Sequence, residues 1–307
     1  MTMRTLVTGV SGYVGAELAR RLRADGPHVR GFARSPGRVT VPVDELVSGD
    51  VTTGAGLDAA LEGIDVAYYL IHSMEQAANG AFPERERASA EAFAGAAKAA
   101  GLRRVVYLGG LVPADAPLSR HLGSRLAVEH ALLGAVPEGI GLRASIVIGA
   151  RSRSFRFLVR LIERMPVLAL PAWRGNRTAP IDGRDMLEYL ARAATAGATV
   201  TGRSWDIGGP DVMTYADMIA RISDAMMVRR PALGLGLSLT PVASVVAAAI
   251  AGEDPALIEP LMESLEHDLL PRDRDAAEAF GVRLHSFDAA VERALREWER
   301  TEELAAR

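Results

Sequence analysis

The chain has 307 residues, 49% of them hydrophobic and 24% charged, a composition that sustains a packed core and excludes a disordered polyelectrolyte. A formal charge of -3 and the absence of cysteine exclude a strongly basic binder of nucleic acid or membrane surface, a disulfide scaffold, thiolate metal sites and a cysteine nucleophile. The length is that of one large domain or two closely joined ones.

The first residues run into an apolar strand pattern without the apolar stretch and cleavage site of a secretory signal, so a cytoplasmic location is the expectation. Residues 4–8 form a short apolar run ending in a glycine turn, and residues 16–22 carry apolar positions at helical spacing. The alternation then repeats: a strand at 29–33, a short helix at 57–61, a strand at 66–71, a long helix at 85–100, a strand at 104–108, a helix at 123–133 and a strand at 140–148. Near-continuous apolar strands between helices imply a parallel α/β sheet covered on both faces. After Gly149 the alternation loosens. A helix over 154–165 places Phe155, Leu158, Leu161, Ile162 and Met165 on one face and Arg156, Arg160 and Arg164 on another, which reads as a solvated basic face before an anion site. A turn and helix follow Pro180, a strand ends at Gly208-Gly209-Pro210, and later helical patches are separated by Pro255, Pro260 and Pro271. The uncharged run 231–252 is long enough for a membrane span, but its prolines, glycines and hydroxyl residues favour a buried turn and helix. No span is expected.

In Val7-Thr8-Gly9-Val10-Ser11-Gly12-Tyr13-Val14-Gly15 the first glycine permits a sharp turn, the second lets backbone approach a pyrophosphate, and the third lets a helix pack closely on the sheet. The helix start offers amides and a positive dipole end to phosphate, so Gly9, Ser11, Gly12, Tyr13, Val14 and Gly15 are candidate dinucleotide contacts. The expected architecture is a Rossmann doubly wound parallel sheet over 1–150, with 178–209 returning to it, and a smaller interleaved carboxy-terminal substrate lobe from 151–177 and 210–307. At the end of the second strand an acid would bind the ribose hydroxyl of NAD. Here the chain reads Phe32-Ala33-Arg34-Ser35-Pro36-Gly37-Arg38. Two guanidinium forks and a hydroxyl at Arg34, Ser35 and Arg38 suit a 2'-phosphate, which favours NADP(H), with plain surface arginines as the alternative. Asp50, in Gly49-Asp50-Val51, either accepts from the adenine amino group or caps the following turn.

The glycine spacing, Gly49-Asp50-Val51, Arg143-Ala-Ser-Ile-Val-Ile-Gly149 and Trp205-Asp-Ile-Gly-Gly-Pro210 resemble the extended and atypical branches of the short-chain dehydrogenase/reductase superfamily. More narrowly, Tyr69-Leu-Ile-His-Ser-Met74, Val106-Tyr-Leu-Gly-Gly-Leu111 and His121-Leu-Gly-Ser-Arg125 resemble the NmrA-like NAD(P)H-binding proteins and the related complex I accessory subunit. The resemblance implies cofactor contacts at Asp50, Val51, Leu70, Ile71, His72, Gly109 and Arg125. It also implies a serine at the end of the fifth strand and a Tyr-x-x-x-Lys on the next helix. Gly109 and Gly110 stand in place of the serine, and His121 and Arg125 in place of the tyrosine and lysine. A spacing of four keeps both on one helix face. Histidine can serve as a general acid near neutral pH and arginine can hold ribose hydroxyls; packing at the helix start is the equal alternative for His121. His72 and Ser73 are second candidates for the nicotinamide or substrate, and Tyr107 reads as core. The six histidines are scattered and no metal site is expected.

These residues point to an NADP(H)-dependent reductase of a small, apolar organic substrate such as a polyketide, quinone or enone, with an apolar lobe around Leu168, Leu170, Trp173, Leu233, Leu237 and Val242, acting as a monomer or homodimer. The alternative is a redox-sensing or structural NADP(H)-binding protein without chemistry. A sugar-nucleotide epimerase is a weaker third reading, because that reaction relies on the missing tyrosine.

Overall fold

The structure, a computed structural model, describes residues 2–71, 82–113, 120–234, 265–302 and 304. The chain begins β1 (Arg4–Thr8), α1 (Tyr13–Asp25), β2 (His28–Ala33), β3 (Glu45–Ser48), α2 (Leu57–Leu61), β4 (Val66–Tyr69), α3 (Phe82–Ala99), β5 (Arg104–Gly110), α4 (Arg120–Leu133) and β6 (Glu138–Ala144). It then passes through β7 (Val147–Ile148), α5 (Arg153–Arg164), β8 (Leu168–Leu170), β9 (Arg177–Thr178), β10 (Ile181–Asp182) and α6 (Gly183–Ala193) before β11 (Arg203–Ile207). The remainder comprises β12 (Met213–Thr214), α7 (Tyr215–Ala225), β13 (Ala232–Gly234), α8 (Ala276–Phe280) and α9 (Phe287–Glu299).

Seven strands form the central sheet in the order β11-β6-β5-β4-β1-β2-β3, every pair parallel. This is the Rossmann arrangement. Strands β2 and β3 lie to one side of β1 and β4 to the other, so the chain reverses direction at β1, and ligands of such sheets bind outside the carboxyl ends of the strands at that point. The sheet is apolar throughout because both faces are covered. Leu18, Leu22, Tyr189, Leu190 and Trp205 pack on one face with α1 and α6; Phe93, Leu102, Tyr107 and Leu132 pack on the other with α2, α3 and α4. Each such large side chain, fully buried, contributes about 1.5–3 kcal/mol. A third cluster joins α5, α7 and α9 through Phe155, Trp173, Tyr215, Phe287 and Trp298. After the third cluster's first helix the chain comes back to the sheet as β11, paired with β6. Phe280 of α8 also returns, meeting Tyr189 and Trp205 edge-on at 5.4 and 5.6 Å.

Three expectations change. The strand expected over 140–148 is two strands, because Ser145 and Ile146 break it and β7 leaves the sheet to pair with β10. An apolar run gives no sign of such a break. The arginine face of α5 is neither solvated nor an anion site at two of its three positions. Arg156 and Arg160 stack on the Trp298 ring with guanidinium carbons 4.3 and 5.0 Å from its centroid, and Glu302 accepts from Arg156 at 3.2 Å, from Arg160 and from the Trp298 indole at 2.9 Å. The face docks the carboxy-terminal helix. Leu233, expected in the apolar lobe, is exposed, whereas Leu168, Leu170 and Trp173 are buried; Leu237 and Val242 lie outside the described residues. Among the described residues no helix is long and apolar enough to cross a membrane, and most of the run 231–252 lies outside them.

Candidate functional site

The carboxyl end of β1 turns at Gly9, whose φ of +66° suits glycine. A Cβ on Gly9 would stand 2.8 Å from the Leu70 carbonyl oxygen, one on Gly12 3.2 Å from the Gly9 carbonyl oxygen, and one on Gly15 would collide with that same carbonyl. All three glycines are therefore held by close approach: loop against β4, loop against itself, helix against loop. Gly12 donates to the Gly9 carbonyl at 2.9 Å and accepts from Ala16 at 3.0 Å, which starts α1. No side chain caps α1 and its first turn holds no acid, so no carboxylate of that turn competes for the amides of Tyr13 and Val14 or for the dipole end. Ser11 and Gly12 are exposed there. This arrangement fits a pyrophosphate. Thr8, which sequence reasoning missed, joins the two strands at the reversal point: its hydroxyl donates to the Tyr68 carbonyl at 2.9 Å and accepts from the Leu70 amide at 3.1 Å.

Tyr13 points elsewhere. Its hydroxyl lies between Gly149 and Gly183, where a Cβ would stand 2.5 and 3.0 Å away, and its pKa is pushed up to about 12 by burial, then by the carboxylate of Glu297. Two further glycines are thus explained by the ring they admit.

Arg34, Ser35 and Arg38 follow β2 directly and are all exposed. Register pairs Thr8 with Phe32, so Arg34 emerges beside the glycine loop. Ser35 and Arg38 are held at the two ends of a short 3-10 turn by the Arg38 amide, 3.0 Å from the Ser35 carbonyl. Asp50 does cap the next turn, accepting from the Thr52 amide at 2.8 Å. The Val51 side chain is buried in the core, which leaves only its main chain for a ligand. Leu70 and Ile71 leave β4 against the loop; His72 and Ser73 lie outside the described residues.

On the other side of the reversal point, Gly109 and Gly110 end β5. They are not equivalent. A Cβ on Gly109 would stand 2.9 Å from the Tyr107 ring, while nothing lies within 4 Å of one on Gly110. Tyr107 is buried as expected, its phenol donating to the Arg125 carbonyl at 3.3 Å. His121 and Arg125 lie one turn apart near the start of α4; the His121 side chain is outside the described residues. Arg125 is buried, its Nε 3.8 Å from Oε1 of Glu86 on α3. Glu86 was not anticipated, yet it falls in phase with Ala90, Phe93 and Ala97 on the buried face of α3, and that phase was the available signal.

A second buried charge network borders β5. Arg143, in register with Gly109, forks over Glu129 of α4 at 3.0 and 2.6 Å, and the hydrogen bonds it donates to Glu129 raise its pKa further. Ser204 donates to the same carboxylate at 2.6 Å. Arg143 Nη1 lies 3.7 Å from Asp206 of β11, which also takes Arg272 at 2.5 and 3.1 Å. Among the described residues no group of His, Asp or Glu is placed to hold a metal.

A family model of NAD(P)H-binding domains matches residues 9–132. The chain is 29% identical over 283 residues to (4-alkanoyl-5-oxo-2,5-dihydrofuran-3-yl)methyl phosphate reductase of Streptomyces griseus, covering 89% of this chain and 88% of that protein. It is 30% identical over 192 residues to ceramide reductase of Caulobacter vibrioides, covering 60% of this chain and 58% of that relative, so it spans little more than half of the latter's length. UDP-glucuronic acid 4-epimerase from Bacillus cereus, solved with UDP-glucuronic acid and NAD, shares the fold at a TM-score of 0.73 and 17% identity over 98% of this chain and 100% of that one. With its glycine loop and seven-stranded parallel sheet, the chain carries an NAD(P)H-binding domain over residues 9–132 on a Rossmann fold, and it is similar in sequence to reductases.

Proposed function

We propose that the chain is an NADP(H)-dependent reductase of a small, apolar, conjugated carbonyl compound. The observation that carries the cofactor choice is the end of β2, where Arg34, Ser35 and Arg38 stand exposed beside the glycine loop and no acid takes the place that a ribose hydroxyl would need. When bound, NADPH supplies the hydride. The loop residues Gly9 to Gly15 hold the pyrophosphate through amides, Asp50 and Val51 border the adenine, and Leu70, Ile71 and Gly109 border the path to the nicotinamide. His121 gives the proton and Arg125 holds the nicotinamide ribose. In this reading residues 1–150 form the cofactor domain, with 178–209 and also 276–282 returning to it, and the cluster around Leu168, Leu170 and Trp173 walls the substrate. The reductase relatives support a substrate with an acyl chain and a reducible group: one is named for a conjugated lactone that carries an alkanoyl chain and a phosphate ester, and one for ceramide.

Calorimetric titration with NADPH and NADH tests the cofactor, with NADPH expected to bind at least about tenfold tighter, a difference of about 1.4 kcal/mol. Loss of NADPH absorbance over a panel of enones, quinones and lactones tests the reaction. Tight NADPH binding without turnover on the whole panel overturns the reductase. A specific observation supports the second reading, a redox sensor or structural protein: the pair Gly109 and Gly110 removes the serine hydroxyl, and Arg125 already faces Glu86. A His121→Phe variant that loses turnover and keeps NADPH binding counts against that reading.

A further inference from the structure

Arg125, which stands where the lysine of a Tyr-x-x-x-Lys would be, belongs to a buried polar unit that joins β5, α4 and α3. Tyr107 leans into the room a side chain at Gly109 would need, its hydroxyl 3.5 Å from where that Cβ would lie, and donates to the Arg125 carbonyl at 3.3 Å. Burial pushes the phenol up to about 12 while the Arg125 guanidinium pulls the other way, so the phenol stays a donor. Arg125 Nε lies 3.8 Å from Glu86 Oε1, and Glu86 Oε2 accepts from Ser124 at 2.8 Å. Glu86 is 4% exposed and Arg125 8%. Both helices start from the carboxyl edge of the sheet, and at ~1.5 Å per residue Glu86 and Arg125 lie within roughly 8 Å of those starts. The unit therefore sits just under the edge where the nicotinamide end is read to lie.

Packing α3 on α4 does not require this. An ion pair taken out of water meets a desolvation penalty of several kcal/mol per ion, and apolar residues of the same volume often serve stability as well or better. A buried pair under a binding edge points instead to placement of one charge. We infer that Glu86 is a positioning residue for the cofactor: its carboxylate offsets the charge of Arg125 and fixes the guanidinium so that its donors serve the ribose hydroxyls at the nicotinamide end. This rests on the proposed function, in which Arg125 holds that ribose.

NADPH titrations by calorimetry on the wild type, Glu86→Gln, Arg125→Met and the double variant test it, with thermal melting as the check on folding. Because Glu86 acts through Arg125, each single change is expected to weaken NADPH binding about tenfold and the double change also about tenfold, not the roughly hundredfold of independent sites. Ser124→Ala, which removes only the hydrogen bond to Glu86 and keeps the charges, is expected to weaken binding about threefold, and it serves where Glu86→Gln does not fold. Additive losses, or Glu86→Gln and Ser124→Ala binding like the wild type, overturn the inference. No NADPH uptake by the wild type itself overturns the functional reading beneath it, a result distinct from altered variants of a protein that binds.

Discussion

The two sides of the carboxyl edge are made of different materials. Beside β1, β2 and β3 the candidate contacts are main-chain amides held by three glycines within seven residues of sequence, with exposed arginines following directly on β2. Beside β5, β6 and β11 they are mostly buried side chains gathered from α3, α4, β6 and β11, joined by the exposed Arg272. The first side depends on what its backbone can approach, and its arginines lie exposed on the surface. The second depends on charge balance, and losing one partner disturbs the fold as well as the site.

The largest expected effect breaks this comparison if it fails. Glu129→Ala leaves Arg143 without the carboxylate it forks over, in a setting where Glu129 is 2% exposed, and removal of one member of a buried pair destabilises by about 3–5 kcal/mol. Urea unfolding of the variant reads this, and a loss under about 1 kcal/mol would mean that water reaches the network freely. Next comes the glycine loop. Gly15→Val drives a side chain into the Gly9 carbonyl, and NADPH affinity is expected to fall more than about a hundredfold, or roughly 2.7 kcal/mol. Gly37→Ala, where nothing lies within 4 Å, is the control and should bind as the wild type does.

A smaller effect sharpens the comparison on the adenosine side. Replacing Arg34 and Arg38 by alanine should weaken NADPH about thirtyfold, since hydrogen bonds to charged groups each contribute roughly 1.5–3 kcal/mol and exposed ones fall at the low end or below. NADH binding should change less than about twofold, because it lacks the phosphate. Equal losses for both cofactors would assign these arginines to the pyrophosphate or to folding.

The same division explains what could be read in advance. The strand and helix alternation, the glycine loop and the arginine pair were legible because each is set by neighbours a few residues away. Even the tightness of Gly15 follows from a local turn. The break at Ser145 and Ile146 was not legible, since Ile146 accepts from Ile181 and Ser145 donates to Ile207, both distant in sequence. Arg156 and Arg160 looked solvated because the Trp298 that covers them lies on the last helix. Glu86 sits in the alternating charges Glu84-Arg85-Glu86-Arg87, where only the phase with Phe93 distinguishes the inward carboxylate from its exposed neighbours. Gly149 and Gly183 carried no motif of their own; their need for small size comes from the Tyr13 hydroxyl between them.

The smallest effect concerns the junction behind that tyrosine. Asp182 caps α6 through the Arg184 amide at 2.8 Å and pairs with the Arg184 and Arg293 side chains at 2.6 and 3.3 Å. Burial alone would raise its pKa, but the hydrogen bonds from Arg184 and the charge of Arg293 outweigh it and hold the carboxyl below its ordinary 3.8. A depressed carboxyl stabilises the fold above the unfolded-state pKa, and that stabilisation is lost as pH falls through the lower folded-state value. Asp182→Asn keeps a competent helix cap and removes only the charge. At pH 7 the variant should melt about 2–4 °C below the wild type, the shift that ~1 kcal/mol produces in a chain somewhat smaller than this one. The gap should narrow as pH falls below about 4, where the unfolded-state carboxyl takes up its proton first, and close once the wild-type carboxyl in the fold is also neutral. A gap that stays constant down to pH 2 would mean that Asp182 acts by shape alone, and that the charges gathered around Tyr13 contribute nothing to holding the glycine loop against the second lobe.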